Sequence, residues 1–141
     1  DSHEEILYNI LETRRYVVPQ IAYLAAQRRS EKDLAELENV ICGNNVKMLE
    51  RDIRVHQLIA RASQNLVCTI TLNFFNQIFH DYGHLYFDEE KNIQRSAIFH
   101  QEIYEAIRDR KPQDAYRIMR DVLVYAEEAV KANIGKLGKR S

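Results

Sequence analysis

Three observations predict an all-α protein, an antiparallel bundle of about six or seven helices. Glycine and proline are scarce, four and two among 141 residues, against a usual combined share of about one residue in eight. Apolar residues recur at intervals of three and four along most of the chain. The connections between these periodic segments are short, which makes consecutive helices antiparallel neighbours. Together they exclude turn-rich sandwiches, barrels, collagen-like repeats and flexible linkers. The length is that of one domain and suffices to bury about two-thirds of the unfolded surface, so folding needs neither a disulfide nor a structural metal.

The first helix is expected over about 4–28, where Leu7, Ile10, Leu11, Val17, Val18, Ile21, Leu24 and Ala25 form one stripe. Pro19 lies inside it and predicts a kink or break near Val18, because its ring cannot donate to the preceding turn. Ser30 and Asp33 have the spacing of a capping box, opening a second helix to about Ile41. Gly43-Asn44-Asn45 is a turn signal. A third helix follows to Ala62, apolar on more than one face and so expected near the bundle centre. Ser63-Gln64-Asn65 breaks the pattern before Leu66, Val67, Ile70, Leu72, Phe74, Phe75, Ile78 and Phe79, a helix expected to be packed on several sides. It ends around Gly83 to Phe87. Asp88, Glu89 and Glu90 make an acidic start for a helix to about Asp109. Pro112 in a first turn opens the last helix, to about Asn133. The domain is therefore drawn over 1–134, with 135–141 a small basic tail expected to fray.

Twenty basic and twenty-one acidic residues leave a net charge of −1, which argues against this segment gripping a phosphate backbone. Cys42 and Cys68 stand in apolar surroundings, as buried thiols of a reducing cytoplasm would. No apolar run approaches the roughly 18 residues of a membrane span. Residues 1–5 lack the regions of a signal peptide, so a cytoplasmic location is expected. The chain enters helix pattern abruptly, as if cut from something longer.

Several polar residues occupy core positions. Arg14 interrupts the first stripe. In the third helix Asp52 and His56, four apart and hence side by side, share a face with Leu49, Ile53, Ile59 and Ala60. In the fifth helix of the sequence pattern, His100 shares a face with Ile93, Ala97, Ile103, Tyr104 and Ile107. Burying such groups costs several kcal/mol unless they are paired or bind something. Two arrangements meet that requirement. One is an Arg14–Asp52 ion pair with two hydrogen-bonded histidines; the other is a polar cavity inside the bundle. Asp52, His56 and His100 would in the second case make a two-histidine, one-carboxylate set of the kind that suits zinc, nickel, manganese or iron. His80 and His84, also four apart, lie on a polar strip with Thr69, Asn73, Asn76 and Gln77 and are expected on a solvated face or subunit contact, with a second cavity wall as the other reading.

The same residues carry a family resemblance. Leu11-Glu12-x-Arg14 with Ile21-x-x-Leu24-Ala25-Ala26-x-Arg28, then Asp52-x-x-x-His56 and Ala62-Ser63-x-Asn65, then His100-x-x-Ile103-x-x-Ala106-Ile107 and Ala115-x-x-x-Met119, resemble the FCD-type effector domain of FadR-like GntR regulators. The resemblance spans about Ile6 to Ala129. It implies a helical bundle enclosing a ligand cavity, a homodimer, and a winged helix-turn-helix that binds DNA, which would lie upstream of Asp1. It also implies a divalent metal, zinc or nickel, at Asp52, His56 and His100; the family's further histidine on the last helix falls on Val122 here. Fatty-acyl-responsive members, which lack a complete metal site and bind acyl-CoA, are resembled around Tyr86-Phe87, Phe99-His100 and Arg14.

The leading expectation is thus a non-enzymatic sensor domain of a transcriptional regulator. A small organic acid or acyl-CoA would meet Arg14, Asp52, His56, Asn73, His100 and Tyr104, with or without a metal. Two other readings are a small metalloenzyme using the two-His-one-Asp set, disfavoured because no nucleophile with an adjacent base is evident, and a helical interaction module whose buried polar groups only fix helix register.

Overall fold

A computed structural model describes residues 2–43 and 46–138, with side chains described over 3–43 and 46–136. Seven helices make up the described residues: α1 (Ser2–Arg28), α2 (Glu31–Cys42), α3 (Met48–Ala62), α4 (Leu66–Tyr82), α5 (His84–Phe87), α6 (Glu90–Arg108) and α7 (Pro112–Gly138). The all-α expectation holds. α1 and α7, 27 residues each and so roughly 40 Å long, form the most extensive pairing; α6 lies against α7, and α3 packs against α2, α4 and α1.

Local chemistry sets the boundaries. The Ser30 side chain accepts from the Asp33 amide at 3.0 Å and the Asp33 carboxylate accepts from the Ser30 amide at 3.1 Å, closing the expected capping box of α2. Asp33 also accepts from Gln64 Nε2 at 2.9 Å, which ties the start of α2 to the α3–α4 turn. There Gln64 takes φ 56° to reverse the chain, and Asn65 caps α4 by accepting from Val67 and Cys68 amides. Buried Arg29 donates to the Ile107 and Arg108 carbonyls at 3.2 and 2.7 Å, satisfying the C-terminal end of α6 from the end of α1. Between α1 and α7, Arg15 pairs with Glu127 at 2.7 Å, and Lys131 meets the same carboxylate at 2.9 Å.

Several expectations change. α1 runs unbroken through Pro19: the surrounding helical packing, with Val18, Ile21 and Ala22 fully covered, holds the turn that proline disfavours. α7 continues past Asn133 to Gly138, so residues 135–138 are helix, not a separate tail; 139–141 lie outside the described residues, as do Asn44 and Asn45 of the expected turn. Cys42 is exposed, at the end of α2, and Cys68 is half-buried against the edge of the core. α4 is not packed on several sides. Leu72, Phe75 and Phe79 face inward, while Leu66, Val67, Ile70 and Phe74 are 74, 68, 61 and 55% exposed.

The apolar core is in two parts. The larger contains Val18, Ile21, Leu58, Ile59, Phe75, Phe99, Ile103, Met119 and Leu123. The smaller contains Leu7, Leu11, Phe79, Tyr86, Phe87, Ala126 and Val130. On each helix that crosses from one to the other the join falls at the same level: between Leu11 and Val18 on α1, between Phe75 and Phe79 on α4, and between Leu123 and Ala126 on α7. The misfit polar residues lie at that join.

Candidate functional site

Arg14 reaches the join from α1, Asp52 and His56 from α3, His100 from α6 and Tyr86 from α5. The i, i+4 spacing sets Asp52 and His56 side by side as the sequence implied. His100 Nε2 meets Asp52 Oδ1 at 2.7 Å, with the histidine fully buried. His56 Nε2 lies 3.5 Å from Asp52 Oδ2, and its ring stacks on Phe99 at 5.6 Å between centroids. One carboxylate thus serves two imidazoles, one through each oxygen. Burial raises the Asp52 pKa, but the His56 charge and the bonds from His100 and His56 outweigh it and hold the carboxyl far below its ordinary value of 3.8.

The Arg14–Asp52 ion pair does not form. Arg14 is buried, yet among the described residues it makes no ion pair or hydrogen bond; its guanidinium sits over the Phe79 ring, 4.3 Å from the centroid. Burial lowers its pKa from 12.5 to about 10, opposed by Asp52, Tyr86 and Glu127 at longer range, so it stays charged at neutral pH. Two more polar atoms here are buried without a hydrogen-bond partner, the Tyr86 hydroxyl and His100 Nδ1. Burial pushes Tyr86 up to about 12, keeping it a neutral O–H; Ser96 is close enough to oppose this but forms no bond of good geometry with it. Tyr86 is well positioned: Asn92 donates to its carbonyl at 2.9 Å and is itself held by Tyr125 at 2.8 Å. Gly83 lets α4 turn into α5, since a Cβ there would meet Leu49 Cδ1 and the Phe79 carbonyl at 2.5 Å each.

Around Arg14 lie three separate voids of about 10 Å³ each, the room of a single water. One borders Asp52, His56, Tyr86, Ser96 and Phe99; a second borders Asp52, His56, Leu72 and Asn76; the third is apolar and lies between α1, α4 and α7. At this join the bundle encloses a polar layer closed by side chains, where the sequence suggested a ligand cavity inside the bundle. Val122 lines the first void beside Asp52 and His56, so the position that carries histidine in the resembled family does face the site, with a side chain that cannot ligate.

Two expected site residues lie elsewhere. Tyr104 hydrogen-bonds Glu38 at 2.8 Å near the surface, because its position on α6 is rotated about one residue off the inward face of His100 and Ile103. Asn73 is exposed and lines an open cleft of about 630 Å³ on the outer side of α3 and α4, with Ile53, Gln57, Asn76, Gln77, His80 and Asp81. His80 and His84 are exposed, as the solvated-face reading had it. Sequence reasoning missed Phe79 and Ser96 as site walls, while Asn76, from the strip read alternatively as a second cavity wall, does line one void. Phe79 at i+4 from Phe75 was visible only as one more apolar residue.

The donor types at Asp52, His56 and His100 suit a divalent metal in kind. Among the described residues, however, no group of three or more His, Cys, Asp or Glu side chains is arranged to hold an ion: the histidine nitrogens point at the carboxylate oxygens and not at a shared centre. His100 Nδ1 also lacks the acceptor that usually orients a ligating histidine. No helix among the described residues is long and apolar enough to cross a membrane.

Comparison with known proteins fits this geometry. The FCD domain family model matches residues 9–124. A search of curated proteins found no match. Among solved structures, "Streptococcus agalactiae GntR" is similar, with 25% identity and a TM-score of 0.73 over 89% of this chain. The chain spans 59% of that protein's length.

Proposed function

This chain belongs to the FCD-domain family, and from that premise we propose that it is the ligand-sensing and dimerisation domain of a GntR-type transcriptional regulator, with no catalytic role. The observation that carries the reading is the polar layer: a buried guanidinium in no ion pair or hydrogen bond, with the Asp52 charge acting on it only at longer range, next to a neutral Tyr86 hydroxyl and an unpartnered His100 Nδ1. An acid supplies what these groups lack. Its carboxylate, or the carbonyl end of an acyl thioester, takes Arg14 through charge-assisted bonds while the chain it carries replaces side chains between the helices. Arg14 leaves Phe79 to do so. Because α1, α3, α5, α6 and α7 all border the layer, an occupant favours one arrangement of helices over another, which is the requirement for sensing. DNA contact is assigned to a winged helix-turn-helix outside these residues, and α1 is the element through which its position would be set.

A zinc or nickel ion held by Asp52, His56 and His100 belongs to the same proposal. Bound there, once the two imidazoles had turned from the carboxylate toward it, it would supply a second positive charge for the acid, and Val122 would contribute no ligand. The exposed stripe of α4 supports a homodimer. Residues 66–79 contain no Asp, Glu, Lys or Arg, in a chain that is 29% charged, so two copies can lay these faces together without stranding a charge.

The test is a thermal series of the protein with acetate, succinate, octanoate and octanoyl-CoA, with and without added zinc. An acid present at a hundred times its dissociation constant stabilises the fold by about 2.7 kcal/mol, which raises Tm by roughly 8–12 °C in a domain of this size. A flat series across all acids refutes the sensing role.

A further inference from the structure

The three voids have two residues in common. Arg14 and Phe79 border all of them, and no other side chain does. At about 10 Å³ each, none admits even a two-carbon acid, so anything organic that enters has to displace a side chain. Displacing a wall of a single void enlarges only that void. Displacing Phe79 joins all three.

Phe79 is also less firmly enclosed than the other buried apolar walls. Among the buried apolar residues around these voids it is the least covered, 9% exposed against 0–7% for the others. It contacts Phe87 edge to face at 6.2 Å, and over its face lies the Arg14 guanidinium, the group an acid would draw away. The space beyond it, between Leu7, Ile10, Leu11, Ile78, Tyr82 and Val130, is apolar.

We propose that Phe79 is a partition that sets the length of ligand the site accepts, its ring separating the polar layer from the apolar space between α1, α4 and α7. With the ring in place, the only room is what Arg14 vacates when it swings off the ring, which suits a short acid. With the ring swung aside, the carboxylate remains at Arg14 and an aliphatic chain of several carbons runs down toward Leu7 and Val130. Arg14 thereby exchanges its stack on Phe79 for an ion pair, and the chain takes the volume the ring gave up. This inference rests on the acid-binding reading above.

The experiment compares wild type, Phe79→Ala and Phe79→Trp, with Phe79→Leu as the milder enlargement should the alanine variant fail to fold. Acetate and octanoate are titrated by calorimetry, and benzene is added separately as a neutral probe of the joined space. The octanoate-to-acetate affinity ratio should rise at least tenfold in the enlarged variant and fall at least tenfold in the tryptophan variant. A ratio constant within threefold across the series overturns the proposal. Benzene should stabilise the enlarged variant and not the wild type, since dry apolar cavities take up such guests; failure of benzene to enter overturns the partition whatever the acids do. Entry of benzene with no acid bound by any variant would instead overturn the acid-binding reading and leave the partition standing.

Discussion

Replacing Asp52 by alanine removes the anion that two imidazoles share. Asp52 is 6% exposed, with His100 at 2.7 Å and fully covered and His56 at 3.5 Å and 9% exposed. Both histidines are buried away from bulk solvent, and Arg14, buried nearby, loses the negative charge that offsets its own burial. Removing one partner of a buried pair typically costs about 3–5 kcal/mol, because the remaining charge or dipole is left unmet. The expected loss for Asp52→Ala therefore lies in that range. In a domain that unfolds with about 5–15 kcal/mol, this lowers the urea midpoint by about a fifth or more. Urea denaturation of wild type, Asp52→Ala, His100→Ala and the double variant measures the coupling directly. The 2.7 Å bond predicts a coupling of about 1.5–3 kcal/mol, so the double variant should be much less damaged than the sum of the singles. A single-variant loss under about 1 kcal/mol, or additive losses, would refute the closed polar layer.

Three further outcomes follow from other parts of the structure. Glu127 holds a pKa below its ordinary 4.5: burial raises it, and Lys131 and Arg15 together lower it further. Its contribution is therefore complete above pH 4.5 and is lost as pH falls through the lower folded value, so urea midpoints of wild type and Glu127→Gln should differ at pH 6 and converge on acidification; a constant gap contradicts this. The gap itself should be about 1 kcal/mol, because Arg15 and Lys131 keep access to water. Gly83→Ala forces a methyl against Leu49 and the Phe79 carbonyl and should cost about 1–3 kcal/mol by thermal melt, whereas an unchanged Tm would show that α5 shifts freely. The pair Ile70→Glu and Phe74→Glu places charge on the bare face of α4 and should convert a dimer to a monomer in analytical ultracentrifugation with the fold intact by circular dichroism; an unaltered dimer places the interface elsewhere.

Much of this architecture was legible in the sequence, and the reasons are specific. Ser30 and Asp33 announce the start of α2 because the capping box is a contact within four residues. Asp52, His56, His100 and Arg14 stand out because polar residues within apolar stripes have few structural uses, and the structure brings all four to one level. Rotation about a helix axis is harder to read. Tyr104 follows Ile103 and shares its stripe on paper, yet a turn of about 100° per residue carries it to the surface and Glu38. α4 misled for a different reason: an apolar segment says that its faces avoid water, not whether they do so inside the chain or against a second one. Leu66, Val67, Ile70 and Phe74 turn outward from this chain. The size of the voids was never in the pattern, because it depends on how the Phe79 ring and the Arg14 stem fill space between helices far apart in sequence.

The central claim is that Arg14 is kept unpaired for an incoming acid, and the side-chain resonance of that one residue tests it most directly. With arginine labelled in ¹⁵N, the Arg14 Nε–H signal is identified by its loss in Arg14→Lys and followed while the acid that most raises Tm is titrated. The account predicts that this signal moves strongly into the range of a charge-assisted hydrogen bond, saturates with the calorimetric affinity, and does so while the Arg29 and Arg61 signals stay in place. An acid that binds with the Arg14 signal unmoved would contradict it.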